Sequence, residues 1–255
     1  MTTVVITGSA GGIGGATRAR LEAAGTRVIG VDVRDAEVVA DLSSPEGRAA
    51  MVDGVTAACG GALDGLVAAA GVTHDDGRIV TAINYFGAVA TLEGLRPLLA
   101  GRPGASAVAV SSNSTTAQPG LPVELAEACL AGDEEAALAV SGHGIGAYAA
   151  SKLALARWVR RQAVTERWIG SGIRLNAVAP GLIATPMTAD TEEMILGLGE
   201  VFPIPIARAG TADEVAALLA YLLGPDAGFF VGSFLTMDGG TDAALRSEHW
   251  PVAKP

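Results

Sequence analysis

A tyrosine and a lysine, Tyr148 and Lys152, stand four residues apart in this 255-residue chain. On a helix that spacing places both side chains on one face. Three tyrosines and two lysines occur in the whole sequence, so the pattern arises by chance only about 0.02 times. A phenol has a pKa of about 10 and is a poor base at neutral pH, but a nearby ammonium stabilises the phenolate. The pair therefore predicts proton transfer at Tyr148. The alternative is a surface cation beside a half-buried aromatic ring.

A glycine-rich segment, Thr-Gly-Ser-Ala-Gly-Gly-Ile-Gly at positions 7–14, follows a short apolar run. With 34 glycines in the chain the pattern alone is weak evidence, but its position at a strand-to-helix turn is informative. Missing side chains there let backbone N–H groups approach a pyrophosphate, and the following helix adds a favourable dipole. We expect Gly8, Gly12, Ile13 and Gly14 to bind a dinucleotide. A sharp turn that needs left-handed residues is the alternative.

Acidic residues follow the next two apolar runs. Asp32 comes 18 residues after Gly14, where a carboxylate would accept hydrogen bonds from both hydroxyls of an adenosine ribose. A 2′-phosphate would face the same carboxylate, so NAD is favoured over NADP, although Arg34 lies two residues further on. Asp41 and Leu42 are expected to bracket the adenine ring.

The elements that must position these residues alternate between short β-branched runs and longer Ala/Leu/Arg segments. Runs without polar alternation indicate strands buried on both faces, as in a parallel sheet covered by helices. We predict a single doubly wound Rossmann-type α/β domain over residues 1–255. The predicted strands are 3–7, 27–32, 66–69, 107–111, 174–179 and 233–237, and the predicted helices are 13–24, 44–59, 81–100, 146–168 and 214–223.

The composition excludes several classes of protein. A net charge of −10 disfavours nucleic acid and anionic membrane surfaces as partners, and no apolar run reaches 18 residues despite a mean hydropathy of +0.41. Two isolated cysteines and three scattered histidines predict neither disulfides nor a metal site. Without a recognisable export signal, a cytoplasmic location is expected.

Together these motifs resemble the short-chain dehydrogenase/reductase family over nearly the whole chain. The segment 7–14 is similar to its TGxxxGxG, Tyr148 and Lys152 to its YxxxK, and Ser111-Ser112 to the serine that ends its fifth strand. The helix asparagine of the family matches Asn84. Its PGxxxT matches Pro180, Gly181 and Thr185. Within the family, the chain resembles the bacterial 3α-hydroxysteroid dehydrogenase/carbonyl reductase group.

The resemblance implies roles for the matched residues. Tyr148 exchanges the proton with the substrate oxygen, Ser112 holds that oxygen, and Lys152 lowers the pKa of Tyr148 and binds the nicotinamide ribose. Asn84 anchors a water that passes protons from Lys152 to solvent. Ser111 competes with Ser112 for its role, and period two along the strand favours Ser112.

Further cofactor contacts are implied around the nicotinamide and the adenosine. Pro180, Gly181 and Thr185 wrap the nicotinamide end. After the fourth strand, Ala68-Ala69-Ala70-Gly71 replaces the usual Asn-Asn-Ala-Gly, so Ala69 and Gly71 are expected to supply only a backbone wall.

The chain departs from most of the family by a helical insertion at about 118–144, before the catalytic helix. Two short helices are predicted there, at 122–131 and 134–140. With a lid at about 182–205 the insertion would border the substrate, for which Ser114, Met187 and Met194 are candidate contacts. Altered helix contacts favour a homodimer over a tetramer.

The expected reaction is NAD(H)-dependent interconversion of a secondary alcohol and a ketone, on a 3α-hydroxysteroid or another bulky cyclic compound. Small cyclic diols, xenobiotic carbonyls and a non-catalytic dinucleotide sensor are the alternatives.

Overall fold

A seven-stranded parallel sheet forms the centre of the protein, whose computed structural model describes residues 2–249. Its spatial order is β3-β2-β1-β4-β5-β6-β9, and a separate two-stranded sheet pairs β7 with β8. The strands are β1 (Thr3–Thr7), β2 (Arg27–Asp32), β3 (Val38–Val39), β4 (Gly65–Ala68), β5 (Ser106–Val110), β6 (Arg174–Pro180), β7 (Ile183–Ala184), β8 (Gly210–Thr211) and β9 (Phe234–Met237). The predicted fold class is confirmed.

Helices connect the strands and cover both faces of the sheet. They are α1 (Gly12–Ala23), α2 (Pro45–Cys59), α3 (Gly77–Thr81), α4 (Ala88–Leu99), α5 (Ser114–Ala117), α6 (Val123–Ala131), α7 (Glu134–Ala139), α8 (Gly144–Gln162), α9 (Glu192–Leu196), α10 (Ala212–Leu223) and α11 (Thr241–Arg246). A π-helical turn, Ala82–Gly87, joins α3 to α4. The helices α6 and α7 lie in the insertion, before α8.

Local sequence signals account for several helix starts. The Ser44 side chain accepts a hydrogen bond from the Gly47 N–H, with Pro45 at the first helical position of α2. Thr211 and Glu214 form a reciprocal capping box at the start of α10. The strands β1, β4 and β5 are buried at every position, as expected for a sheet with helices on both faces.

Helix α8 is shorter than predicted, ending at Gln162 instead of 168. The Thr165 hydroxyl donates to the Gln162 carbonyl at 2.7 Å, which closes the last turn. The chain then reverses and buries Trp168, whose ring packs edge-on against Trp158 at 6.1 Å between centroids. Burial of this ring, which periodicity could not show, ends the helix early. The second lysine of the sequence, Lys254, lies outside the described residues.

The strand order reverses between β1 and β4, which are neighbours at the centre of the sheet. From β1 the chain adds β2 and β3 on one side, and from β4 it adds β5, β6 and β9 on the other. Ligands of doubly wound sheets bind at such a switch point, beyond the carboxyl ends of the strands. The segments that follow β1, β2, β4, β5 and β6 carry most of the predicted site residues. In residues 2–249 no helix combines the length and the apolar character needed to cross a membrane.

Candidate active site

A cavity of about 470 Å³ opens at the carboxyl ends of β1, β2 and β4. Its walls come from the glycine turn, the ends of β2 and β3, the loop after β4 and the segment after β7. Eleven residues predicted from the sequence line it: Gly8, Gly12, Ile13, Gly14, Asp32, Asp41, Leu42, Ala69, Gly71, Thr185 and Met187. The cavity therefore brings together predicted residues from five separate parts of the chain.

The glycine turn is packed so tightly that side chains have no room at two of its positions. Gly8 has a φ of +73°, and a Cβ there would lie 2.9 Å from the Ala70 backbone. At Gly14 a Cβ would lie 2.1 Å from the Gly8 carbonyl oxygen. Both distances are shorter than a Cβ and a backbone atom tolerate. The glycines thus let the turn and the start of α1 approach each other and the loop after β4.

Gly14→Ala is expected to weaken cofactor binding by about tenfold or more, since the added methyl must push the turn away from α1. Gly15→Ala is the matched control, because a Cβ there would meet the Ser9 carbonyl oxygen at an ordinary 3.5 Å. That control should bind normally and gain some helix stability. Titration calorimetry with NADH measures both; equal affinities would show that the close contact does not shape the site.

Asp32, at the end of β2, reaches back to the glycine turn. Its Oδ2 accepts a hydrogen bond from the Ala10 N–H at 3.0 Å, and Oδ1 accepts from the Val33 N–H at 2.7 Å. These bonds fix the carboxylate at the cavity wall, next to Arg34, which also lines it. A second hydroxyl-accepting position remains on each oxygen, because a carboxylate has about four lone-pair sites.

Tyr148 and Lys152 lie one turn apart on α8, as predicted. The Lys152 Nζ is 5.8 Å from the centre of the Tyr148 ring and donates a hydrogen bond to the Val110 carbonyl at 2.8 Å. Lys152 is 3% exposed, and a Cβ built on Gly71 would lie 3.3 Å from its Nζ. Since Gly71 lines the cavity, the ammonium lies directly behind the cavity wall.

Ser112 and Ser111, which follow β5, point in different directions. The Ser112 hydroxyl favours the ionised form of the Tyr148 phenol, and its Oγ accepts from the Ser114 N–H at 3.1 Å. The Ser111 hydroxyl instead donates to the Lys152 carbonyl at 2.9 Å, inside the protein. This arrangement favours Ser112 over Ser111 as the serine that faces a substrate.

Asn84 sits in the π-helical turn and is fully buried. Its Oδ1 accepts from the Val72 N–H at 2.8 Å and its Nδ2 donates to the Val72 carbonyl at 3.0 Å. The amide thus clamps the loop after β4, while Oδ1 retains a second acceptor site. A π-turn is frequent at functional sites because it redirects a side chain within a helix.

Burial dominates the titration of the two catalytic groups. It lowers the pKa of Lys152 to about 8, because the ammonium loses solvation. Burial also raises the pKa of the Tyr148 phenol, and the hydrogen bond with Ser112 opposes that rise. The net effect on the Tyr148 pKa is a rise, and the lowering of this pKa by Lys152 stays a prediction. The Lys152 ammonium is directed at the Val110 carbonyl.

Four other predicted residues lie outside the cavity wall. Pro180 ends β6, and a Cβ on Gly181 would lie 2.7 Å from the Asp238 Cβ, so Gly181 permits a close loop contact. Met194 is 61% exposed on α9. The Ser114 hydroxyl is buried beside Ser112 without a hydrogen-bond partner in residues 2–249.

Several residues of the site were missed. Val72, Ala10 and Val33 contribute backbone groups, and nothing in their side chains marks them. Val72 could have been predicted only from its position directly after Gly71. Arg48 and Glu134 form a bidentate ion pair near the cavity, although 86 positions separate them. No local pattern could have paired them.

Comparisons with known proteins agree with this geometry. The family model described as short chain dehydrogenase matches residues 2–123, and the one described as enoyl-(acyl carrier protein) reductase matches residues 135–242. The 3-alpha-hydroxysteroid dehydrogenase/carbonyl reductase of Comamonas testosteroni is 39% identical over 96% of this chain and 98% of its own. The chain belongs to the short-chain dehydrogenase/reductase family. It is an oxidoreductase that acts on alcohols and ketones.

Other members of this family are also similar over most of their length. The coniferyl-alcohol dehydrogenase of a Pseudomonas strain is 31% identical, over 93% of this chain and 95% of its own. The crystal structure of a 3-alpha-hydroxysteroid dehydrogenase from Pseudomonas sp. B-0831, complexed with NADH, superposes with a TM-score of 0.89 at 43% identity. It covers 98% of this chain and 100% of that one. The whole dehydrogenase fold, including the inserted helices, thus has solved relatives.

Proposed function

We propose that this dehydrogenase uses NAD(H) to interconvert a secondary alcohol and a ketone, with a 3α-hydroxysteroid or similar bulky cyclic compound as substrate. The observation that carries the proposal is the position of Lys152, one helical turn from Tyr148, behind the wall of a cavity that the glycine turn and Asp32 line. The proposed general acid/base, Tyr148, and the proposed dinucleotide-binding cavity therefore lie at the same edge of the sheet. The relatives named for 3-alpha-hydroxysteroid activity support the substrate.

The residues at the cavity fit a dinucleotide. The cramped turn at Gly8 and Gly14 exposes backbone N–H groups at the start of α1, which suits a pyrophosphate. Asp32 would hold the adenosine ribose, and the Asp41-Leu42 segment would flank the adenine. Thr185, whose Cγ2 lies 3.8 Å from a Cβ built on Gly12, would close the opposite wall.

Further contacts are proposed at the nicotinamide half. Ala69 and Gly71 would form the backbone wall after β4, and Pro180 with Gly181 would flank the ring. Lys152 would donate to the nicotinamide ribose. When bound, the nicotinamide would accept or donate the hydride, chemistry that no protein side chain supplies.

Proton transfer belongs to the protein. The Tyr148 hydroxyl would exchange a proton with the substrate oxygen, and the Ser112 hydroxyl would hold that oxygen and stabilise its developing charge. A buried Lys152 ammonium would favour the phenolate that accepts the substrate proton during oxidation. Asn84 would keep the loop after β4 in place and offer its free acceptor site to a water.

We propose that the lid and the insertion determine the size of the substrate that the enzyme accepts. Met187 borders the cavity, while Met194 is exposed on α9, within the proposed lid. The unpartnered Ser114 hydroxyl would accept or donate a bond to the substrate. NADH formation with 3α-hydroxysteroids, small cyclic diols and xenobiotic alcohols tests this choice. A higher kcat/KM for the steroids supports the proposed substrate class. A higher kcat/KM for the diols would contradict it and favour small cyclic diols instead.

Asp32→Ala is expected to lower the preference for NAD over NADP by about tenfold, because the carboxylate that repels a 2′-phosphate is removed. Arg34, on the same wall, then faces the phosphate alone. Asp53→Ala, on the exposed side of α2, removes the same charge away from the cavity and serves as the control. The measurement is the ratio of kcat/KM for the two cofactors; equal use of both by the unaltered enzyme would refute the assignment.

A homodimer in the cytoplasm is proposed for this enzyme. Helix α6 of the insertion packs on α8, with Pro122 3.4 Å from a Cβ built on Gly146, and so covers a surface that could otherwise receive a second subunit. The two buried thiols, Cys59 and Cys129, agree with a reducing compartment. Sedimentation equilibrium would distinguish a dimer from a tetramer.

A further inference from the structure

A buried arginine on α2 joins four segments of the chain. Arg48 is 7% exposed, and its Nε donates to the Leu42 carbonyl at 2.8 Å. Its Nη2 donates to the Ala82 carbonyl at 3.1 Å and to the Ser43 carbonyl at 3.3 Å. The guanidinium also lies over the Phe86 ring, 5.8 Å from its centre. One side chain thus holds the segment after β3 and both ends of the π-turn.

The fourth segment is the insertion. Glu134, the first residue of α7, accepts from Nη1 of Arg48 through Oε2 and from Nη2 through Oε1, both at 2.7 Å. This fork-to-fork geometry is the strongest and most directional form of a carboxylate-guanidinium pair. The Arg48 side chain is 8% exposed and that of Glu134 is 27% exposed, so solvent weakens the pair only in part.

The segments held by Arg48 include part of the cavity wall. Leu42 and Asp41 line the cavity, and the segment is packed closely from both sides. A Cβ on Gly47 would lie 1.8 Å from the Asp41 carbonyl oxygen, and one on Gly87 would lie 3.0 Å from the Leu42 Cβ. A displacement of Arg48 is therefore transmitted to the wall instead of being absorbed by loose packing.

We propose that the Arg48–Glu134 pair couples the insertion to the adenosine side of the cofactor cavity. Both are positioning residues: they fix Leu42 and Ser43 for the cofactor and tie α7 to the body of the enzyme. The coupling rests on the proposed binding of NAD(H), but not on the identity of the substrate. Binding of the cofactor then makes α7 more ordered. An ordered α7 in turn raises the affinity for the cofactor, because such coupling is reciprocal.

Glu134→Gln tests the coupling, since it keeps the size of the side chain and removes its charge. We expect the dissociation constant of ADP-ribose, measured by calorimetry, to rise about fivefold or more. The KM for NAD should rise in parallel, while kcat at saturating NAD stays within about twofold, because the catalytic groups on α8 are untouched. A purely structural role would lower the melting temperature without this split.

Asp64→Asn is the matched control. The Asp64 carboxylate also accepts from an arginine, Arg102, and from the Thr3 N–H, but at the amino end of the sheet, away from the cavity. It should lower stability and leave ADP-ribose affinity unchanged. An affinity in Glu134→Gln equal to that of the unaltered protein would overturn the proposal.

Hydrogen exchange in the unaltered protein gives a second test that does not depend on folding of a variant. ADP-ribose should slow the exchange of amides in α7, and Glu134→Gln or Arg48→Lys should abolish that slowing. Exchange in α7 that ADP-ribose does not change would contradict the coupling. ADP-ribose binding with this protection, but without turnover of any alcohol, would leave the coupling intact and refute the proposed function instead.

Discussion

Tyr148→Phe is expected to lower kcat/KM for a secondary alcohol by about 10³-fold, while NADH binds with nearly unchanged affinity. The substitution removes only the hydroxyl that exchanges the proton, and general acid/base catalysis contributes about 10²–10⁴-fold. The ring still packs against Lys152, 5.8 Å away, and the cavity wall is retained. Steady-state kinetics combined with calorimetry of NADH binding measures both quantities.

Tyr85→Phe is the control for this substitution. Tyr85 is 2% exposed, its ring packs edge-on against Phe86, and burial raises the pKa of its phenol well above the usual value. No role in proton transfer is assigned to it. That variant should keep most of the activity. Loss of activity in both variants to the same degree would mean that the phenol of Tyr148 has no special function.

Lys152→Met is expected to abolish turnover and yet to make the protein more stable at pH 7. The ammonium is buried, and its pKa falls from 10.5 to about 8, so the folded protein carries the charge at a cost. Methionine has a similar length and no charge. We expect the free energy of unfolding to rise by about 1–3 kcal/mol, after allowance for the lost hydrogen bond to Val110.

The sign of the pH dependence follows from the same shift. Between pH 8 and 10.5 the unfolded chain binds the Lys152 proton more strongly than the folded one, so this residue makes the native state more stable as pH rises. The stability advantage of Lys152→Met should therefore shrink across that window. Denaturant unfolding of both proteins at several pH values measures it. An advantage that is constant with pH, or a variant less stable at pH 7, would contradict the account.

The sequence predicted the sheet and most of the cofactor cradle because these depend on local signals. Apolar runs such as 3–7 and 27–32 match β1 and β2 at both ends, and the glycine turn needed only its position after β1. The spacing of Tyr148 and Lys152 placed both on α8 because helical periodicity is fixed.

What depends on tertiary contact could not be predicted. The end of α8 is set by burial of Trp168, and the π-turn that holds Asn84 has no recognisable sequence pattern. The Arg48–Glu134 pair joins distant segments, and only folding brings them together. The sequence also could not show that burial raises the pKa of Tyr148, because a pair on one helix face says nothing of the solvent excluded around it.

Deuterium transfer from a secondary alcohol to NAD tests the central claim most directly. The enzyme is incubated with NAD and a 3α-hydroxysteroid deuterated at the carbinol carbon, and both products are analysed by mass spectrometry. We expect a 3-ketone and reduced cofactor carrying one deuterium, with formation of both strongly reduced in Tyr148→Phe. NAD that binds but gains no deuterium from any alcohol in the panel would contradict it.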